Sequence, residues 1–320
     1  MVHKIQPVSF ITISSDMEGQ RVDNFLFTQL KVMPKSMIYR ILRKGLVRVN
    51  KKRIRPKYKL INGDTIRVPR VWSKEVGKGV SSTKVGSAQT FLVENSIIYE
   101  DEYIVILNKP AGIAVHGGSG LRFGVIEVLR ASRPDEYFLE LVHRLDRYTS
   151  GLLLVAKKRS SLRDLHEQLR EKRVKKYYLA LVQGQWPIDI TAVSAPLSKH
   201  SGKGYQKEVR VCEEGKSSQT LFQVKEYYSK QATLIQARPL TGRMHQIRVH
   251  ALHAGHPIAL DNLYGNSFFN EYVSMLGLKR LFLHASSLCF THPNTRKIMC
   301  IKAPIDQKLE NVLITLRMNI

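Results

Sequence analysis

Residues 143–156 read His143-Arg144-Leu145-Asp146-Arg147-Tyr148-Thr149-Ser150-Gly151-Leu152-Leu153-Leu154-Val155-Ala156. The run Leu152 to Ala156 is continuously apolar and follows turn residues, the pattern of a strand buried on both faces. Ahead of it, one acid sits between two arginines. Thr149 and Ser150 can satisfy turn backbone groups, and Gly151 permits a close backbone approach. From these residues alone Asp146 stays open between two roles. A structural salt bridge to a neighbouring arginine is the simpler one; a reacting carboxylate is the other.

Working outward, Tyr103 to Leu107, Tyr177 to Val182, Ala232 to Ala237 and Leu281 to Leu288 repeat the strand pattern. Ser160 to Lys172 predicts a helix, because Leu162, Leu165 and Leu169 recur three and four apart. Thr241 is positioned to cap a helix running to Ala254, closed by Gly255 and Pro257. Such a helix carries Arg243, Ile247 and His250 near one face. Ser198 to Thr220 reads as a polar loop followed by an edge strand. Strands and helices do not alternate regularly, so the fold class is α+β rather than a doubly wound sheet.

Charge is concentrated near the front. The chain has 320 residues and a formal net charge of +25. Between Lys31 and Arg70 fourteen Lys/Arg meet one acid, Asp64, a net of +13 and about half of the excess. A balance this basic points to a polyanionic partner. Ser36 is a candidate cap for a helix through Lys44, with Met37, Ile38, Ile41 and Leu42 on one face and Gly45 past its end. Leu46 to Val49 and Thr65 to Val68 predict short strands. In "MIYRILRKGLVRVNKKR" and "LINGDTIRVP" residues 18–70 resemble the S4 RNA-binding domain. The resemblance implies docking on RNA phosphates, here through Arg40, Arg43, Lys44, Lys51, Lys52 and Arg53. Residues 1–17 form an N-terminal segment. Residues 71–90, rich in Ser, Gly and Lys, are expected to be a flexible linker with a reach of about 25 Å. A second domain follows over 91–320.

Other classes of protein lose ground. No stretch approaches the ~18 apolar residues of a membrane span, and the N-terminus lacks the shape of a signal peptide. Cys212, Cys289 and Cys300 form no CxxC pair, so no disulfide is expected and a cytoplasmic, reduced protein follows. His245, His250, His253 and His256 cluster without HExxH or paired carboxylates, so no metal site is expected. RNA contact or core hydrogen bonding accounts for them better.

Five runs occur in order: "LNKPAGIAVHGG", "HRLDRYTSGLLLVAK", "KYYLALV", "TGRMHQIRVH" and "RLFLHASSL". Together they resemble the RluA-type pseudouridine synthases over nearly all of 91–305. The resemblance implies a small S4-like domain followed by a catalytic domain on a mixed, mostly antiparallel sheet with flanking helices and loops. It implies isomerisation of uridine to pseudouridine with no cofactor. The implied partner is 23S rRNA or a large-subunit precursor, at several uridines including ones near the peptidyl transferase centre. By the same resemblance Asp146 corresponds to the catalytic carboxylate and Arg243 to the arginine that pairs with it. Tyr178, placed by the pattern Lys-x-Tyr-x-Ala, corresponds to the tyrosine that stacks on the base. Ile247 is a candidate apolar wall. His143, Arg144, Thr149, Asn108 and Lys109 are candidates for substrate or RNA contact. One departure is Leu260 before Asp261, where many members have Gly. A non-catalytic assembly factor, a relative acting on other rRNA sites, and a metal-dependent nuclease are the competing readings. A monomer is expected, since no interface stripe stands out.

Overall fold

Two units divide the chain, Met1–Lys84 and Val85–Ile320. The computed structural model describes residues 4–6, 8–30, 33–69, 71–73, 86–117, 123–201 and 207–318. The first unit contains β1 (Lys4–Gln6), β2 (Ser9–Thr12), α1 (Val22–Gln29), α2 (Lys35–Arg43), β3 (Arg48–Val49), β4 (Lys52–Arg53), β5 (Thr65–Val68) and β6 (Val71–Ser73). Its main sheet has the order β2-β5-β3-β4, and β1 pairs with β6. Ile38, Ile41 and Leu42 bury one face of α2 in a core with Val22, Phe25 and Leu26 of α1. That leaves the charged face of α2 to solvent, as the 3.6-residue period requires.

Helix α2 starts two residues earlier than a Ser36 cap would place it: Pro34 occupies the N-cap, with no side-chain hydrogen bond, and Ser36 lies inside the helix. At the other end Gly45 takes φ +67°. Gly45 N–H bonds Leu42 O at 3.0 Å and Leu46 N–H bonds Ile41 O at 3.0 Å, the paired closure of a Schellman end. Asn50 and Lys51, at φ 48° and 65°, make the two-residue turn between β3 and β4. Asp64 accepts from Asn50 Nδ2 at 2.7 Å, Tyr58 Oη at 3.0 Å and Ile61 N–H at 2.9 Å. The one acid of the basic segment is therefore spent inside the unit.

The second unit contains α3 (Ser87–Glu94), β7 (Ile97–Glu100), β8 (Ile104–Lys109), α4 (Val125–Ser132), β9 (Glu140–Leu141), β10 (Ser150–Ala156), α5 (Arg159–Arg170), β11 (Lys175–Gln183), β12 (Ala192–Ser194), β13 (Leu197–Ser201), β14 (Lys207–Val211), β15 (Gln219–Tyr228), β16 (Ala232–Pro239), α6 (Gln246–His253), α7 (Ser267–Met275), β17 (Leu283–Thr291), β18 (Ile298–Lys302) and α8 (Gln307–Met318). A ten-stranded sheet runs β12-β15-β16-β11-β17-β10-β8-β7, with β18 beside β17 and β9 beside β10. Its pairings are antiparallel except β10 with β17. The fold is thus α+β with a mixed, mostly antiparallel sheet.

Both faces of this sheet are covered. Along β11, Tyr178, Ala180 and Val182 enter one core, with Leu165 of α5 among its members. Leu181 between them enters the other, with Phe269 and Val273 of α7 and Leu309, Val312 and Leu313 of α8. That alternation is the two-residue period of a strand. Every residue of β10 is buried. Gly151 has φ +107°, and a Cβ there would stand 2.3 Å from Ala285 O on β17, so only glycine fits where the two strands meet.

Four expectations are corrected. Ser198 to Thr220, expected as a loop followed by an edge strand, holds the hairpin β13–β14 and then the start of β15, which lies between β12 and β16 rather than at the edge; residues 202–206 lie outside the described residues. Helix α6 begins at Gln246, not near Thr241, because His245 adopts the left-handed conformation at φ 53°. The expected 71–90 linker has ordered ends. Val71–Ser73 pairs with Lys4–Gln6 and Ser87–Glu94 is helical, while 74–85 lie outside the described residues. Cys289 and Cys300 form a disulfide with S–S 2.16 Å, because antiparallel β17 and β18 set them directly opposite, a register their spacing conceals. Among the described residues no helix is long and apolar enough to cross a membrane.

Candidate active site

The loop ahead of β10 is pinned from several sides. His143 Nε2 accepts from Leu154 N–H at 3.2 Å. Burial, with the nearby Lys176 charge, pushes this imidazole down to about 3, so it stays neutral and keeps the lone pair that the bond needs. Leu145 is buried, and Thr149 N–H closes a turn on Asp146 O at 3.1 Å. Arg147 O accepts from Gly112 N–H at 2.8 Å, and Arg147 Nε returns a bond to Gly112 O at 2.9 Å.

Lys109 completes the clamp. Its side chain is fully buried, and Nζ donates to Pro110 O at 2.8 Å, Ile113 O at 3.0 Å and Arg147 O at 3.3 Å. Burial lowers its ammonium to about 7, Arg280 acts in the same direction, and Asp146 opposes them. Asn108 Nδ2 donates to Pro304 O at 3.2 Å. His143, Lys109 and Asn108 are therefore held by intramolecular bonds, with Lys109 fully buried. A Lys at the end of an apolar strand is buried here because three carbonyls replace its water.

The Gly242-to-His250 run approaches Asp146 from the other side. Gln246 locks its start. Its Oε1 accepts from Thr241 Oγ1 at 2.8 Å and Arg243 N–H at 3.0 Å, and its Nε2 donates to Gln219 O at 2.9 Å. The turn before Gln246 leaves Arg243 exposed and off the helix, with Nε donating to Ser217 O at 3.2 Å. Arg248, one turn into the buried run, holds the carboxylates instead. Its Nη1 stands 3.4 Å from Asp146 Oδ2. Its Nε and Nη2 each donate to Asp261 at 2.6 Å. Burial opposes the charge on Arg248, but the Asp261 bonds and the charges of Asp261 and Asp146 outweigh it and raise its pKa. The expected Arg243–Asp146 pair is thus replaced by Asp146–Arg248–Asp261.

Leu260 shows how that triad is delivered. It sits at φ 52°, a conformation that glycine adopts without steric cost, which fits the Gly seen there in the resembled family. Its N–H bonds Asn270 Oδ1 at 2.7 Å, and Asp261 Oδ1 also accepts from Leu263 and Tyr264 N–H at 3.0 and 3.1 Å. The turn is retained with a leucine in place.

These groups surround a pocket of about 560 Å³, within the range of small-ligand sites. Asp146, Tyr178, Thr149, Ile247, Arg248 and Leu283 are among its lining. Burial and then the Asp146 charge push the Tyr178 phenol up, so it stays protonated. Arg144 and Arg243 also line it and are exposed. The pocket thus joins an anionic centre, an aromatic ring, apolar walls and exposed cations.

Two of the clustered histidines are held by internal hydrogen bonds. His250 bonds Thr220 Oγ1 at 2.9 Å and Ser218 Oγ at 3.0 Å, and His256 Nδ1 bonds Gln183 O at 2.8 Å. In the first unit Arg40, Arg43, Lys44, Lys51 and Lys52 are exposed. Arg53 donates from Nη2 to Arg43 O at 2.7 Å, so part of its fork is used to cap α2.

A carboxylate pocket of this kind on a mixed sheet, joined in sequence to a small basic unit, is suited to an enzyme of RNA. The chain belongs to the RNA pseudouridine synthases, which convert uridine in RNA to pseudouridine. The family described as RNA pseudouridylate synthase matches residues 103–253, and the S4 domain matches 20–66. Ribosomal large subunit pseudouridine synthase C of Pasteurella multocida (strain Pm70) is 57% identical over 312 residues, 98% of this chain and 95% of that protein. Its namesake in Escherichia coli (strain K12) is 56% identical over 312 residues, 97% of each. The solved structure titled Human RNA Pseudouridylate Synthase Domain Containing 1 is 28% identical, with TM-score 0.54, covering 70% of this chain and 96% of that one.

Proposed function

We propose that the chain isomerises uridines of 23S rRNA in the large ribosomal subunit, several of them and some near the peptidyl transferase centre, with Asp146 as the reacting carboxylate. The names of relatives matched over nearly the whole chain support the substrate. The observation that carries the chemistry is the Asp146 carboxylate in a pocket between Arg248 at 3.4 Å and the Tyr178 ring. In the reaction the N1–C1′ bond breaks, the uracil turns, a C5–C1′ bond forms, C5 loses a proton and N1 gains one. Nothing is oxidised and no group is lost.

The target base must leave its stack, at a cost of a few kcal/mol. Tyr178, Ile247 and Leu283 offer a ring and apolar walls that offset it. Arg248, 3.4 Å away, orients Asp146. Attack at C1′, addition at C6 and removal of a ribose proton each start from the carboxylate. Tyr178 keeps its proton, which supports stacking over service as the base at C5. Arg144 and Arg243 at the pocket, and the cations of the first unit, bind phosphate.

A pseudouridine map tests the target. Carbodiimide-stop sequencing of rRNA from cells lacking the gene should lose marks in 23S rRNA, and restoring the gene should return them. An unchanged 23S map with marks lost in tRNA would overturn the substrate. An unchanged map of both would favour an assembly factor.

A further inference from the structure

Beside Asp146 stands a histidine that the proposed chemistry has not used. His245 Nε2 lies 3.7 Å from Asp146 Oδ2, and its Nδ1 lies 2.9 Å from Tyr264 Oη. Its backbone is left-handed, at φ 53° and ψ 18°. Residues with a Cβ seldom adopt that region, histidine more readily than most, and such outliers gather at functional sites.

Tyr264 decides which nitrogen of His245 carries the proton. Val209 N–H donates to Tyr264 Oη at 2.8 Å, so one lone pair of the buried phenol is taken. The phenol has one proton to give. Among the described residues His245 Nδ1 is the acceptor within reach. If Nδ1 carried the hydrogen, two donors would face one oxygen and the buried phenol proton would lack a partner, an arrangement that costs free energy. The phenol therefore donates to Nδ1, and the hydrogen of the neutral ring lies on Nε2, facing Asp146. Burial favours the neutral ring; Asp146 opposes it, Arg248 supports it, Asp261 opposes it and Arg144 supports it, with a net lowering. Burial also raises the Tyr264 phenol, keeping it a donor.

We propose that His245 is a positioning residue: held as the Nε2–H tautomer by Tyr264, it donates to the Asp146 carboxylate and fixes the orientation from which that carboxylate reacts. This rests on Asp146 being the reacting group. The 3.7 Å separation closes in the RNA complex, as hydrogen bonds of unliganded sites do. Arg248 and His245 then hold the same oxygen, Oδ2, from two directions, and Oδ1 is left to the substrate.

The test joins a spectrum to kinetics on the full chain. Histidine-selective ¹⁵N NMR at neutral pH, with the His245 signals assigned by their loss in His245→Gln, reads the tautomer without reference to activity. The Nε2–H form should dominate, and Tyr264→Phe should raise the Nδ1–H fraction. His245→Leu should lower kcat on an RNA substrate by about tenfold or more, the scale of one hydrogen bond to a charge, with KM within about twofold. His245→Gln, which retains an N–H donor, should recover most of the loss. A dominant Nδ1–H form, or wild-type kcat in His245→Leu, overturns the proposal. Equal losses in the Leu and Gln variants overturn it too, because they signify a packing role. If Asp146→Asn turns over normally, the role of Asp146 fails separately, and the spectrum still judges the tautomer.

Discussion

The two units use charge in opposite ways. In the first, cations such as Arg40, Lys44, Lys51 and Lys52 stand in water on a helix and a tight turn, while Asp64 is buried to hold that turn. In the second, the decisive charges are inside: Lys109 fully buried, Arg248 nearly so and Asp261 behind it. An exposed cation adds attraction to phosphate that salt screens. A buried one fixes geometry, because removing it leaves partners unpaired in a dry interior. The comparison teaches that the unit with the densest positive charge serves binding, while the unit whose decisive charges are buried serves reaction.

The difference can be broken most sharply at the two arginines of the Gly242-to-His250 run. Arg248→Leu should lower kcat by about a hundredfold or more and cost about 3–5 kcal/mol of stability, because Asp261 keeps a buried, unpaired charge. Arg243→Leu should leave stability within about 0.5 kcal/mol and act on KM for RNA. Single-turnover kinetics and urea unfolding read both; a dead Arg243 variant beside an active Arg248 variant would reverse their roles. A smaller effect sharpens the other side. Lys51→Gln with Lys52→Gln should weaken RNA binding and reduce its log–log salt slope by about one per lost phosphate contact, with kcat at saturating RNA unchanged. An unchanged slope would remove that turn from the RNA surface.

Much of this was legible in the primary structure, and the misses share a cause. Strands over 152–156, 177–182 and 232–237 were readable because a strand buried on two faces is largely apolar, with only Thr233 and Gln236 interrupting the last. The resembled runs brought Asp146 and Tyr178 to one pocket, separated as they are by the strand β10 and the helix α5. The resemblance points to Arg243 rather than Arg248, and the left-handed turn at His245 that takes Arg243 off the helix is invisible to periodicity. A signal was present: Arg248 stands among Ile247, Val249 and Ala251, an apolar run in which a charge requires a partner, and Asp261 supplies it. The internal bonds of Lys109 and His143 were not legible, since nothing local in a sequence distinguishes a caged polar side chain from a free one. The Cys289–Cys300 pair depends on strand register, which spacing alone does not set.

The most direct measurement concerns Asp146. Asp146→Asn preserves volume and most of the hydrogen-bonding shape while removing the negative charge. Purified variant and wild type are to be compared on the same 23S rRNA fragment, by pseudouridine formed per enzyme and by equilibrium RNA binding. The account predicts at least about a thousandfold loss of product formation, equal to about 4 kcal/mol of barrier, with RNA binding retained. Turnover within tenfold of wild type by a folded, RNA-binding Asp146→Asn enzyme would contradict it.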